Sequence, residues 1–199
     1  MQNILSFLQS IAITVAAIVA VCGINTWRKE FIFKRKVEVA EEALLLFYQC
    51  ADNIKMIRNP FYAVGEGASR KRNENETERE TEIYNQAYVF RERYERVRES
   101  FQKLNVIKYR FIVYFGEDKA GLFHEYNKII SKLVHASDVL GRHYWIREVY
   151  NGLDMQEKYL REKNKYESII WPIQDNDEIN MKLEDVINEA GEICKKYFE

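Results

Sequence analysis

Two prolines and eight glycines are all that the 199 residues contain. So few chain breakers argue against a turn-rich β-sandwich and favour long helices. An excess of charge of either sign is also missing. Thirty basic residues stand against 31 acidic ones, a formal net charge of −1, so bulk electrostatics supports neither a nucleic-acid-binding protein nor an acidic tail. Cysteine is scarce and scattered: Cys22, Cys50 and Cys194 form no C-x-x-C pair. An odd, dispersed set is neither a disulfide framework nor a zinc site, and it fits a reducing compartment. Low complexity is absent too. With 47% apolar and 31% charged residues, the chain has the composition of a folded protein with a core.

What is present begins with one apolar run. From Ile4 to Ile24 stand 21 residues without a charge, and a helix of that length spans roughly 30 Å, the thickness of a bilayer core. Its polar members, Ser6, Gln9, Ser10 and Thr14, are uncharged, and hydroxyls bond back to the helix. Trp27 follows where an interfacial aromatic belongs. Arg28, Lys29, Lys34, Arg35 and Lys36 come next, against the single acid Glu30. By the positive-inside rule this places the N-terminus outside and the rest of the chain in the cytoplasm. A cleaved signal peptide fits poorly, because the run is too long and its basic cluster lies on the wrong side. Ala12, Ala16 and Ala20 share one face of the span at the spacing that lets two helices approach, so a homo-oligomer is open to the chain.

The remainder repeats one pattern. Val37, Ala40, Leu44, Phe47, Ala51 and Ile54 are spaced alternately 3 and 4 apart, which gathers them on one side of a helix. Ile83, Ala87, Phe90, Tyr94, Val97, Phe101, Leu104, Lys108, Phe111 and Phe115 continue the alternation, with Ile107 able to replace the misfit Lys108. Gly116-Glu117-Asp118 interrupts it. Leu122, Tyr126, Ile129, Leu133, Ala136, Leu140 and His143 restart it, and Ile179, Leu183, Val186, Ala190, Ile193 and Tyr197 complete it. Asp118 is placed to cap the third helix, and Asp175 with Glu178 to form a capping box for the last. Pro172 forces a break after Trp171. Residues 153–171 are less regular, although Leu153, Tyr159, Leu160 and Ile169 would support a shorter helix. The expected fold is all-α: a single N-terminal transmembrane helix over 1–27, then an antiparallel bundle of long, heptad-patterned helices over 28–199.

Catalytic sets are missing. His124-Glu125 is followed by Tyr126-Asn127-Lys128, so there is no H-E-x-x-H, and no Glu-x-x-His pair marks a di-iron site. None of the three histidines is preceded, four to six residues upstream, by the Arg that marks HEPN ribonucleases. Gly65-Glu66-Gly67 opens no phosphate loop. The pattern calls for no metal and no cofactor, and the chain is read as a non-enzyme. Arg91, Arg93, Arg96 and Arg98 alternate with Glu92, Glu95 and Glu99 and read as a solvated face.

One stretch stands out. The connection over about 58–77 is long for a helical hairpin, where roughly two to eight residues are usual. It carries Phe61, Tyr62, Glu66, Arg70, Lys71 and Arg72, a candidate interaction loop whose two aromatics are expected to anchor it to the bundle. A candidate membrane contact joins Trp27, Arg28 and Lys29 to the end of the second helix. If the first two bundle helices start level at the loop, the longer second one returns to the bilayer, with Arg110 at the headgroups beside Ile112 and Tyr114. The function expected is that of a membrane-anchored scaffold, adaptor or sensor, with lipid and an unidentified protein as partners. The alternative is a membrane-localised effector, of toxin or defence type, acting on nucleic acid or on the membrane. Nucleic acid is the weaker partner.

Overall fold

The structure, a computed structural model, describes residues 2–151, 156–172 and 177–198. The described residues are mostly helical, with no strand among them. Helix α1 (Gln2–Ile57) is 56 residues long, about 84 Å at the rise of an α-helix. No Pro interrupts it, so the apolar segment and the first bundle helix form one rod with no break near residue 27. Over its apolar window none of the residues is buried by the rest of the chain. It is one helix long and apolar enough to cross a membrane. Burial starts only at Val39, and from there Ala40, Ala43, Phe47, Cys50, Ala51, Ile54 and Ile57 are sealed into the core.

Helix α2 (Glu78–Phe115) starts with a capping box: Thr77 Oγ1 accepts from the Glu80 N–H, and the Thr77 N–H donates to the Glu80 carboxylate. It runs antiparallel to α1, as the Arg110–Glu42 and Arg93–Ile57 contacts show. After a 3-10 turn (Glu117–Ala120), α3 (Gly121–Val139) passes through a π-turn (Leu140–Trp145) into α4 (Ile146–Asn151). Helices α5 (Glu157–Ile170) and α6 (Glu178–Lys195) complete the bundle. α1 packs along α2 and α6, while α3 packs along α2, α5 and α6. At the centre Phe47, Phe111, Phe123 and Tyr126 stack on one another, and the buried Tyr126 hydroxyl donates to the Phe47 carbonyl at 2.8 Å.

Several expectations change. Asp118 lies in the 3-10 turn and does not cap α3, whose N-cap is Ala120. The cap of α6 is Asp177, which accepts from the Asn180 N–H; Asp175 falls outside the described residues, as does Leu153. Helix α5 ends at Ile170, one residue before Trp171 and two before Pro172. His143 is exposed. The wider turn that begins at Leu140 rotates the apolar stripe, so Gly141 and Trp145 take the buried positions instead.

The level of the helix ends also differs. Ile57, at the end of α1, lies opposite Arg93, not opposite the start of α2. The extra turns of α2 therefore project at the far end of the bundle. At the near end Phe115 and Lys36 both contact the Tyr197 ring, which leaves α2 level with Lys36. About 18 Å of α1 separates that level from Ile24. Arg110 is engaged by Glu42 at 2.7 Å, while Ile112 and Tyr114 are half-buried, Tyr114 against the core. The level start at the loop, on which the expected reach of α2 to a bilayer depends, is thus replaced by the register that Arg93 sets. Trp27, Arg28 and Lys29 are exposed on α1, with Trp27 stacked on Phe31.

Candidate functional site

The end of the bundle far from the apolar segment is built around two buried arginines. Arg93 is 4% exposed. Its Nη1 donates to the carbonyls of Ile57 at 3.1 Å and Asn59 at 2.6 Å. Its Nη2 donates to the Phe61 carbonyl at 2.8 Å and to Glu66 Oε2 at 2.8 Å, and Nε reaches Glu66 Oε1 at 2.9 Å. One guanidinium thus takes the Ile57 carbonyl at the end of α1 and two carbonyls of the loop, and clamps the loop through Glu66, whose side chain is 8% exposed. The Arg93 hydrogen bond holds the Glu66 carboxyl below the usual range, against a smaller opposing effect of burial. Arg93 is therefore no member of a solvated face, although Arg91, Arg96 and Arg98 are exposed.

Arg58 does the same for the C-terminal helices. It is 1% exposed and forms a two-pronged pair with Asp177, at 2.7 and 2.5 Å. Its Nε donates to the Ile169 carbonyl at 3.0 Å. The end of α1, the end of α5 and the cap of α6 meet at this one side chain. Burial works to raise the Asp177 pKa, but the bonds from Arg58 and from the Asn180 N–H outweigh it and the net shift is downward.

The loop between α1 and α2 is shaped by its glycines. Gly67 has φ +87°, and a Cβ there would stand 2.0 Å from the Asn85 carbonyl oxygen. Only glycine lets the loop lie so close to α2. Its N–H donates to Glu92 Oε2 at 2.8 Å, which also accepts from the Ser69 hydroxyl. Glu92 in turn pairs with Arg96. Burial opposes the charge of Glu92, yet the bonds from Ser69, Arg96 and Gly67 leave its pKa lowered. Further along, Arg70 pairs with Glu76 at 2.8 and 2.5 Å and lies over the Tyr84 ring. The Arg70 bond is the main cause that brings Glu76 down to about 2. Arg72 donates to the Glu76 carbonyl.

The expected interaction loop is thus a structured one, but its anchors are not the expected aromatics. Phe61 is 84% exposed, Tyr62 is half exposed, and Val64 is fully exposed. Glu66, Arg70 and Arg72 are used within the fold, whereas the Lys71 side chain has no partner among the described residues and lines a cleft. Sequence reasoning missed Arg93, Arg58 and Asp177. Arg93 stands in a run of alternating charges, Arg58 just before Asn59-Pro60 and Asp177 in an acidic stretch, settings that carry no local mark of burial; the two glycines that flank Glu66 were the nearest clue.

The cleft, about 420 Å³, opens between residues 70–76, the first turns of α2 and the π-turn. Gly141 brings the π-turn against α2, since a Cβ at this position would lie 2.6 Å from the Ala87 Cβ. π-turns of this kind recur at functional sites. No protein-family profile matches the chain, and no curated protein and no solved structure matches it either.

Proposed function

We propose that this chain is a single-pass membrane protein whose cytoplasmic bundle works without catalysis, as an adaptor or sensor that binds another protein through the tip of the 58–77 loop. The observation that carries this reading is the Arg93–Glu66 clamp beneath the exposed Phe61, Tyr62 and Val64. Burying an ion pair is costly, and here the pair holds apolar side chains out in solvent, where they contribute nothing to the core. A fixed apolar tip with few rotamers to freeze suits a partner's pocket. The anchor rests on the uncovered apolar length of α1 and on the basic cluster that follows it, which orients the N-terminus outward.

The test is crosslinked capture from native membranes in mild detergent. Wild type is compared with a Phe61→Ser, Val64→Ser double variant, which touches no buried group. Partners lost from the variant, with its thermal melt unchanged, are the expected result. An identical set of captured proteins overturns the loop tip as the contact. The alternative, an effector acting on nucleic acid or the membrane, would need Arg70, Lys71 and Arg72 to contact phosphate. Two of those three are engaged inside the loop, which weakens it. RNA or DNA retained at low salt and released at high salt would favour it.

A further inference from the structure

The cleft beside the loop has a charge imbalance that the fold does not use. Arg70 is neutralised by Glu76, but Lys71, Arg91 and Arg142 line the same space, and none of the three side chains has a hydrogen bond or ion pair among the described residues. Among the described residues that line it, the one free acid is Asp138. Three uncompensated cations against a single carboxylate make an anion-attracting concavity. The walls are pre-set by the Arg70–Glu76 pair on one side and by the π-turn on the other. Between them stands the half-buried Tyr88, whose ring has no aromatic neighbour and whose hydroxyl has no hydrogen bond among the described residues.

We propose that this cleft binds a soluble nucleotide, with its phosphates on Lys71, Arg91 and Arg142 and its base against Tyr88. The volume fits the class, since pockets for small ligands span roughly 300–1,000 Å³. Guanidinium forks match phosphate oxygens two at a time, and a tyrosine face takes any planar base. A lipid headgroup would present similar phosphate chemistry, but the cleft is at the wrong end. It lies beyond the end of α1, about 50 Å along the helix from Ile24. Because the cleft shares residues 70–76 with the loop, occupancy would be felt at the segment that carries Phe61 and Val64. The site nevertheless stands apart from that tip, and each can fail alone.

The experiment uses the full chain in detergent micelles at 150 mM salt, titrated with the common mono- and dinucleotides. Thermal shift and equilibrium dialysis give the readouts, with tripolyphosphate, adenosine and anionic phospholipid vesicles as comparison probes. Expected is saturable binding of at least one nucleotide, with weaker binding of tripolyphosphate and none of adenosine. An Arg91→Gln, Arg142→Gln double variant should weaken that binding tenfold or more. Arg161→Gln, elsewhere on the surface, should leave it unchanged, and so should Phe61→Ser with Val64→Ser. No saturable response to any nucleotide, equal loss with Arg161→Gln, or a preference for vesicles each overturns the proposal. Tripolyphosphate binding as tightly as the best nucleotide overturns the base contact and with it the nucleotide class.

Discussion

Arg93 of α2 and Glu66 of the loop form a two-pronged ion pair at 2.9 and 2.8 Å, and the same guanidinium holds the carbonyls of Ile57, Asn59 and Phe61. The pair is 4% and 8% exposed, so removal of either partner leaves a charge in a place where water cannot solvate it. Arg93→Met should cost about 3–5 kcal/mol, the range for breaking a buried pair. Arg93→Lys should cost a large share of that, because an ammonium cannot reach three carbonyls and a carboxylate together. Urea unfolding of the full chain in micelles measures both. A loss below about 1 kcal/mol for Arg93→Met would mean that the clamp is not a structural tie.

Gly67 and Gly65 give a paired test of the loop path. Both have positive φ, +87° and +84°, but only Gly67 faces backbone, 2.0 Å from where its Cβ would lie; Gly65 faces open space. Gly65→Ala should carry just the left-handed penalty of about 1–2 kcal/mol. Gly67→Ala should exceed it, because the loop must lift off α2 and give up its bond to Glu92. Equal losses for the two variants would contradict the close approach at Asn85.

The acid response of the loop has a defined sign. Glu76 is lowered from 4.5 to about 2, mainly by its bond from Arg70. A depressed carboxylate contributes stability in full above its unfolded pKa, and that contribution fades as pH falls toward the folded value. The difference in melting temperature between wild type and Glu76→Gln should therefore be constant above about pH 4.5 and shrink toward zero near pH 2. A difference that grows on acidification would reverse the assignment.

The bundle thiols should be inert. Burial pushes Cys50 up to about 12 and Cys194 up to about 11, so almost no thiolate exists at neutral pH. A maleimide should modify neither until urea unfolds the bundle, as peptide mapping would reveal. Native labelling at Cys50 would mean that the α1 face opens far below the global unfolding free energy.

Orientation is tested by reporters fused after Glu199. A reporter active only in the cytoplasm should work there, and one that needs an external compartment should stay silent. The opposite pattern would invert the topology and remove the basis for placing a nucleotide site on that side.

The period of the apolar stripes was legible without coordinates because burial along a helix repeats every 3.6 residues whatever the neighbours are. Phe47, Phe101, Leu133 and Leu183 are core on that argument alone, and each is buried. The same local logic located the break before Pro172 and the apolar stretch of α1, though not its continuity with the first bundle helix. It could not set one helix against another. The level of α2 relative to α1, the burial of Arg93 and Arg58, and the outward tip at Phe61 all depend on groups far apart in sequence. Arg93 meets Ile57 across 36 positions and Arg58 meets Asp177 across 119. A charged side chain is buried only where several elements each bring a carbonyl or carboxylate to it, and that convergence exists only once the helices have packed.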